Sequence, residues 1–438
     1  MTTTTNATTQ SYLSEALKNF LAGRVVTPQR TVAPGCSISF LPQTPASYST
    51  NVAPILMSKC VRCHSPGNIA PWAMTNHTIV QLYAPLIKNQ VMAGHMPPWH
   101  ADPFYGPFTN DFSLTPAQTA MLIQWIDEGS PRGGGADPLA IAAPPPTNYP
   151  FAWPPALGEP TQILSIPVQS IPAAPGIEAY RYINVTTTFS SDVWLRAAII
   201  KPGNTRVVHH SLVFQGANSG GMGIDGFFSG YVPGYDAVAF PSGTAKFLPK
   251  GTVLQFQIHY VRTDRPETDQ TQIGLYTTPT APAYELQTKS AYNLFISIPP
   301  NSTYQATAQY PPTGKLTKNI LVYEMSPHMH TRGASFKYEA VYLDGTRETL
   351  LSVPRYEFAW QALYRLTQPK LLPAGSLILC TAGWDNTPQN QHLMENYIDY
   401  STQPPTTNSL YAPSRGVRFG DQTYDEMFIG YINFVELP

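Results

Sequence analysis

The sequence predicts a multi-domain chain in which a small all-α domain precedes two all-β sandwich domains. Three observations predict it. The 438 residues exceed what one hydrophobic core usually organises. Helical periodicity and capping signals concentrate between residues 45 and 131. Beyond residue 160, short runs rich in Val, Ile, Thr and Tyr recur between turn residues, in a chain carrying 45 prolines.

Taken in order, residues 1–44 form an extension whose Thr-rich start reads as disordered, with a short amphipathic helix from Ser11 to Ala22. Residues 45–132 form the helical domain. Its helices are expected around Val52–Lys59, around Ile79–Val91 with a possible kink at Pro85, and from the cap Thr115 to Gly129. Residues 133–160, with Gly-Gly-Gly, Ala-Pro-Pro-Pro and Trp-Pro-Pro, read as a linker because this composition holds neither a helix nor an inner strand. The β part divides near Tyr284 into residues 161–284 and 285–438. Strands are expected at Ala179–Phe189, Trp194–Ile200, Arg206–Phe214, Thr252–Arg262, Asn319–Ser326, Phe336–Leu343, Thr346–Val353, Ser376–Ala382 and Glu426–Phe434, with Asp344-Gly345 as a hairpin turn.

The charge balance of 26 Lys+Arg against 27 Asp+Glu argues against nucleic acid or anionic membranes as partners. No run approaches the roughly 18 apolar residues of a membrane span. Residues 1–10 lack the basic and apolar regions of a signal peptide, so none is expected in this chain.

Cys60-Val61-Arg62-Cys63-His64 has the Cys-x-x-Cys-His spacing in which two thiols attach a c-type haem and the histidine takes one axial iron position. A zinc half-site or a redox pair fits less well, because no second Cys-x-x-Cys exists. A thioether is a common sixth ligand. Met96, in Gly94-His95-Met96-Pro97-Pro98-Trp99, is the first candidate, with Met92 and His95 as competitors. Haem attachment of this kind implies a periplasmic or extracellular location. Cys36 and Cys380 either form one disulfide or stay free.

Five of the ten histidines fall in or beside three expected strands: His209, His210, His259, His328 and His330. The i, i+2 spacing of His328-Met329-His330 puts both imidazoles on one face of an extended segment, where one metal can bridge them. Adjacent His209 and His210 point to opposite faces unless a bulge or strand end intervenes. Two such pairs favour metal over satisfied core histidines. His77, His95, His100 and His392 read as ordinary solvated or hydrogen-bonded residues. Asp385-Asn386 and Asp425-Glu426 are candidates for supporting the metal ligands, or are turn residues.

Over residues 160–438 these motifs resemble the copper type II monooxygenases, the family of peptidylglycine α-hydroxylating monooxygenase and dopamine β-monooxygenase. The motifs come in the family's order: Val208-His209-His210, Ile258-His259-Tyr260, His328-Met329-His330 and Asp425-Glu426-Met427. The resemblance implies two jelly-roll-like β-sandwiches and two copper ions, one held by His209, His210 and His259, the other by His328, His330 and Met427. It also implies that dioxygen is activated at the methionine-bearing copper to hydroxylate a substrate C–H bond. Family enzymes draw electrons from ascorbate; here the haem domain, fed by an external donor, is expected to supply them. Tyr431 matches a family tyrosine, whereas Ser326 and Ile429 stand where an Arg and an Asn help hold the substrate in the peptide-hydroxylating member. A glycine-extended peptide is therefore not the expected substrate, and a small organic molecule is. The closer resemblance is to bacterial fusions of a Cys-x-x-Cys-His domain with this copper fold. A non-catalytic copper-binding or electron-transfer protein is the alternative expectation.

Overall fold

A computed structural model describes residues 19, 21, 45–141, 150, 152–173, 179–217, 226–235, 237–399, 404 and 406–438. The chain divides into two compact units, residues 1–43 and 44–438. The expected Ser11–Ala22 helix lies almost wholly outside the described residues, as do Cys36 and residues 142–149 and 151 of the expected linker.

Three helices open the second unit. Helix α1 (Ala53–Lys59) carries a proline in its first turn, and α2 (His77–Met92) is capped by the Asn76 side chain, which accepts from the Ile79 amide at 3.0 Å. Pro85 sits inside α2 without ending it. Helix α3 (Pro116–Asp127) begins with a full capping box between Thr115 and Gln118. Tyr48, Leu56, Val80, Leu122 and Trp125 are fully buried among these helices.

Four main sheets follow. The first is β1 (Gln162–Ser165), β3 (Val193–Lys201), β6 (Thr244–Leu248), β8 (Gln272–Thr278) and β9 (Tyr284–Glu285), in the order β1-β8-β3-β6-β9. The second holds β2 (Arg181–Thr186), β4 (Val208–Gln215), β5 (Phe227–Tyr231) and β7 (Val253–Tyr260), ordered β2-β7-β4-β5. The third contains β10 (Gln287–Tyr292), β12 (Ile320–His328), β15 (Tyr364–Leu372) and β17 (Ile429–Glu436), ordered β10-β17-β12-β15. The fourth, ordered β11-β16-β13-β14, comprises β11 (Thr303–Tyr310), β13 (Gly333–Val341), β14 (Arg347–Val353) and β16 (Leu377–Asp385). Asp344-Gly345 makes the expected hairpin: Gly345 has φ +85° and the Asp344 carboxylate accepts from the Thr346 amide at 2.9 Å.

The expectation of a small all-α domain ahead of two jelly-roll-like sandwiches is overturned. The described residues are mostly β, an arrangement of small sheets with a few short helices and no separate all-α domain among them. The segment after α2 shows the physical reason. Trp99, Phe108 and Phe112 are buried in the core of the third and fourth sheets, with Trp99 4.9 Å from the Tyr364 ring. The backbone joins as well. Asp102 N donates to Ser352 O at 2.8 Å, Thr109 N to Arg365 O at 2.8 Å, and Thr367 N to Pro107 O at 3.0 Å. The segment between α2 and α3 is therefore built into the sheet core, while the helices keep an apolar cluster of their own. Among the described residues no helix is long and apolar enough to cross a membrane.

Alternation along the strands fixes where a polar site can sit. In β7, Leu254, Phe256, Ile258 and Tyr260 enter the core shared with the first sheet, so Gln255, Gln257 and His259 face the other way. In β17, Phe428 just before it, Ile432 and Phe434 enter the core shared with the fourth sheet. The opposite faces of the second and third sheets meet through Leu212, Phe214 and Phe227 against Met427, Ile429 and Tyr431.

Candidate functional site

Five histidines collect along this contact between the second and third sheets. A register shift between Val208 and His210 bulges β4 at His209, the condition that joint ligation by adjacent histidines requires. Past the bulge His210 lies directly opposite His259. Ligand nitrogens of His209, His210 and His259 lie within 4.8 Å of one another, and the Nδ1 atoms of His209 and His210 are 3.1 Å apart. Burial pushes His209 down to about 4, His259 to about 3 and His210 well below the ordinary imidazole range, so all three are neutral at pH 7. His210 Nε2 and His259 Nδ1 are buried without a hydrogen-bond partner. Orphaned buried nitrogens carry a desolvation cost that a bound cation would offset.

His328 ends β12 and His330 follows it, their rings 5.3 Å apart. Each has one ring nitrogen engaged, His328 Nδ1 with Gln361 Oε1 at 2.5 Å and His330 Nδ1 with the Asp425 carbonyl at 3.3 Å. His330 Nε2 is buried and unpartnered. His328 pairs in register with Ile429, and Met427, two residues before it, is fully buried in the apolar contact with Leu212, Phe214 and Phe227. The Tyr431 ring is 6.4 Å from that of His328. Behind them Glu426 accepts from the His330 amide at 2.9 Å, the Arg332 amide at 2.6 Å and Trp384 Nε1 at 3.1 Å. Burial raises its carboxyl to about 7. Asn386 accepts from Arg332 Nε at 2.8 Å, whereas Asp385 serves the turn, accepting from the Thr387 amide.

Two rings missed in the sequence lie between the histidine sets. Tyr180 stands 5.2 Å from His259 and 6.1 Å from His330, and Phe358 stands 5.9 Å and 6.1 Å from the same two. The Tyr180 hydroxyl is buried and has no hydrogen-bond partner. Nothing in its sequence context, an ordinary strand-like run, distinguishes it. Ser326 donates to the Ala362 carbonyl at 3.3 Å and Ile429 packs in the apolar contact, so neither supplies a charged anchor.

Cys60, Cys63 and His64 follow α1 in a tight turn, with the Cys63 and His64 amides donating to Cys60 O at 3.1 and 2.9 Å. Both thiols are free, and burial raises them to about 12 and about 11. His64 Nδ1 engages the Trp72 carbonyl at 3.0 Å, leaving Nε2 for another partner. All three residues line a mainly apolar cavity enclosing about 1140 Å³ of empty space, part of it open solvent. Met96 lines the cavity. Met92 is exposed, and His95 is exposed beside Gln90. His209 and Trp360 complete the wall, so one histidine belongs both to the triad and to this cavity. Cys380 is a free, buried thiol in β16.

Of the remaining histidines, His77 bonds the Ser130 carbonyl at 2.9 Å, and His392 pairs with Glu357 at 3.0 Å. His100 departs from the ordinary reading: it is buried with neither ring nitrogen hydrogen-bonded, and burial lowers it to about 4.

No family model matches the chain, and no curated protein does. Among solved structures it is similar to the infectious bursal disease virus VP2 subviral particle, at 13% identity over 64% of this chain and 82% of that one, with a TM-score of 0.14. The Gx strain of the same virus gives 10% identity over 64% and 80%, with a TM-score of 0.17. Likenesses this slight bear on neither fold nor function.

Proposed function

We propose that the protein is a copper- and haem c-dependent monooxygenase that hydroxylates a C–H bond of a small organic substrate. One observation carries the reading: His209 is at once a member of the buried histidine triad and a wall of the Cys60–Cys63–His64 cavity. Electrons entering at that cavity would need to cross one imidazole to reach the triad. Bound copper would supply dioxygen chemistry and covalent haem c a one-electron relay. Cys60 and Cys63 would hold the haem covalently, and His64 and Met96 would hold its iron. His209, His210 and His259 would hold one copper, and His328, His330 and Met427 the other, with Tyr431 beside it. The reaction places one oxygen atom in the C–H bond and the other in water, using two electrons and two protons from an external donor. Haem attachment would put the protein in the periplasm or outside the cell.

The chain's own groups have definable parts. Gln361 and the Asp425 carbonyl fix the His328 and His330 rings, and Glu426 fixes the backbone that carries His330. Tyr180 and Phe358 exclude water between the two sets. A second reading, a copper-binding or electron-transfer protein without turnover, is favoured by the near-complete burial of His328, His330 and Met427.

The deciding experiment measures copper and iron per chain, the reduced visible spectrum, and oxygen uptake on protein matured in a haem c-competent host. Two coppers, one iron and substrate-dependent oxygen uptake are expected. Haem without copper would sink the proposal, and both metals without coupled uptake would establish the second reading.

A further inference from the structure

A second polar centre lies further along the sheet face that carries His328. Glu324 and Ser326 share that face of β12, and Tyr431 and Asn433 share the adjoining face of β17. The four residues from His328 back to Glu324 correspond to roughly 13 Å of strand. Here Glu324, Arg365, Asn433 and Lys246 border a cavity enclosing about 840 Å³ of empty space, part of it open solvent. Apolar side chains, among them Phe227 and Phe228, form much of the remaining wall.

The charges in this cavity do not balance. The Glu324 carboxylate is committed, accepting from Arg365 Nη2 at 3.0 Å and Asn433 Nδ2 at 2.6 Å. Lys246 is only 6% exposed. Two of its three N–H groups go to neutral acceptors, the Phe228 carbonyl at 2.9 Å and Thr288 Oγ1 at 2.8 Å. Burial lowers Lys246 to about 8, which leaves it mainly protonated at neutral pH. Among the described residues two cations therefore face one anion. The hydroxyl of Tyr235, another wall residue, is buried with no hydrogen-bond partner among the described residues. A buried cation of incomplete pairing and an unused hydroxyl lining one cavity are each destabilising unless a ligand engages them.

We propose that this cavity binds a small organic monocarboxylate, its carboxylate received by Lys246 and Tyr235 and its apolar body by Phe227 and Phe228. The site needs no metal, so it stands apart from the function proposed above. It also touches that function's machinery, because Phe227 stacks on Tyr431 at 4.7 Å.

The test titrates the full chain with benzoate by calorimetry, using benzylamine as the cationic counterpart. Saturable one-to-one benzoate binding and none of benzylamine are expected. Lys246→Met and Tyr235→Phe should each weaken benzoate at least about tenfold, as loss of a charge-assisted hydrogen bond does. Tyr235→Phe removes one oxygen and keeps the ring, so it preserves the test if Lys246→Met fails to fold. His330→Ala should leave benzoate affinity unchanged. Absence of benzoate binding, equal binding of both probes, or unchanged affinity in a folded Tyr235→Phe protein would overturn the proposal.

Discussion

Glu426→Gln is the most informative single substitution near the second histidine set. In the wild type one carboxylate oxygen receives the His330 amide and Trp384 Nε1, and the other receives the Arg332 amide. A glutamine can aim its carbonyl at the first pair. Its NH₂ then confronts the Arg332 N–H, leaving a buried donor unsatisfied in a fully enclosed site. That costs about 1–3 kcal/mol, a sizeable share of the roughly 5–15 kcal/mol that holds a domain folded. The His330 backbone loses its charged anchor, and removal of such support typically weakens metal binding about 10–100-fold. Urea unfolding of the metal-free protein should report the first effect. Competition for Cu(I) with a chromophoric chelator should report the second, with one weakened site and the His209–His210–His259 site unaltered. Stability within about 0.5 kcal/mol of wild type, together with two unchanged copper affinities, would refute the argument that Glu426 holds this half of the site.

Trp99→Ala should cost about 3–5 kcal/mol, as large buried aromatics do, and the sheet signal should melt at a lower temperature in thermal unfolding by circular dichroism. A sheet transition unchanged from wild type would contradict the burial of Trp99 in the sheet core. The His392–Glu357 pair raises His392 to about 10, so its contribution is complete below the unfolded value near 6.5 and disappears as pH climbs towards 10. With the imidazole partly exposed this amounts to about 0.2–1 kcal/mol, and the melting difference between wild type and His392→Gln should shrink over that range. Replacing both Cys60 and Cys63 by Ala should abolish acid-stable retention of haem on the denatured chain, visible by in-gel peroxidase staining, while leaving copper content unchanged.

Helices were legible where local chemistry decides: Thr115-Pro116 and Gln118 specify the start of α3, and the Asp344-Gly345 turn specifies a hairpin. Strands with β-branched or aromatic alternation were equally legible, including the need for a bulge at His209. The Tyr364–Leu372 strand was not, because Pro369 argues against a strand; it is tolerated there because β15 is an edge. Thr303–Tyr310 was hidden by its polar, half-exposed alternation in another edge strand. The site's partners were hidden for a different reason. Tyr180, Phe358 and Gln361 come together only through tertiary packing, which no local period reports. The anchoring of the helical part on the sheets rests on Trp99, Phe108 and Phe112, three aromatics in a segment with no helical or strand period of its own.

That same segment has a consequence for association between molecules. Strand β15 borders the third sheet, and its free flank would offer unpaired N–H and C=O groups to any passing chain. Residues 107–109 lie along this flank, with Phe108 bridged to Leu366 and flanking backbone bonds at Pro107 and Thr109. They act as a short selvedge on the sheet. A fragment beginning at the β part would bare this border beside the pit left by Trp99, and self-pairing there would turn a soluble sheet into the seed of an aggregate.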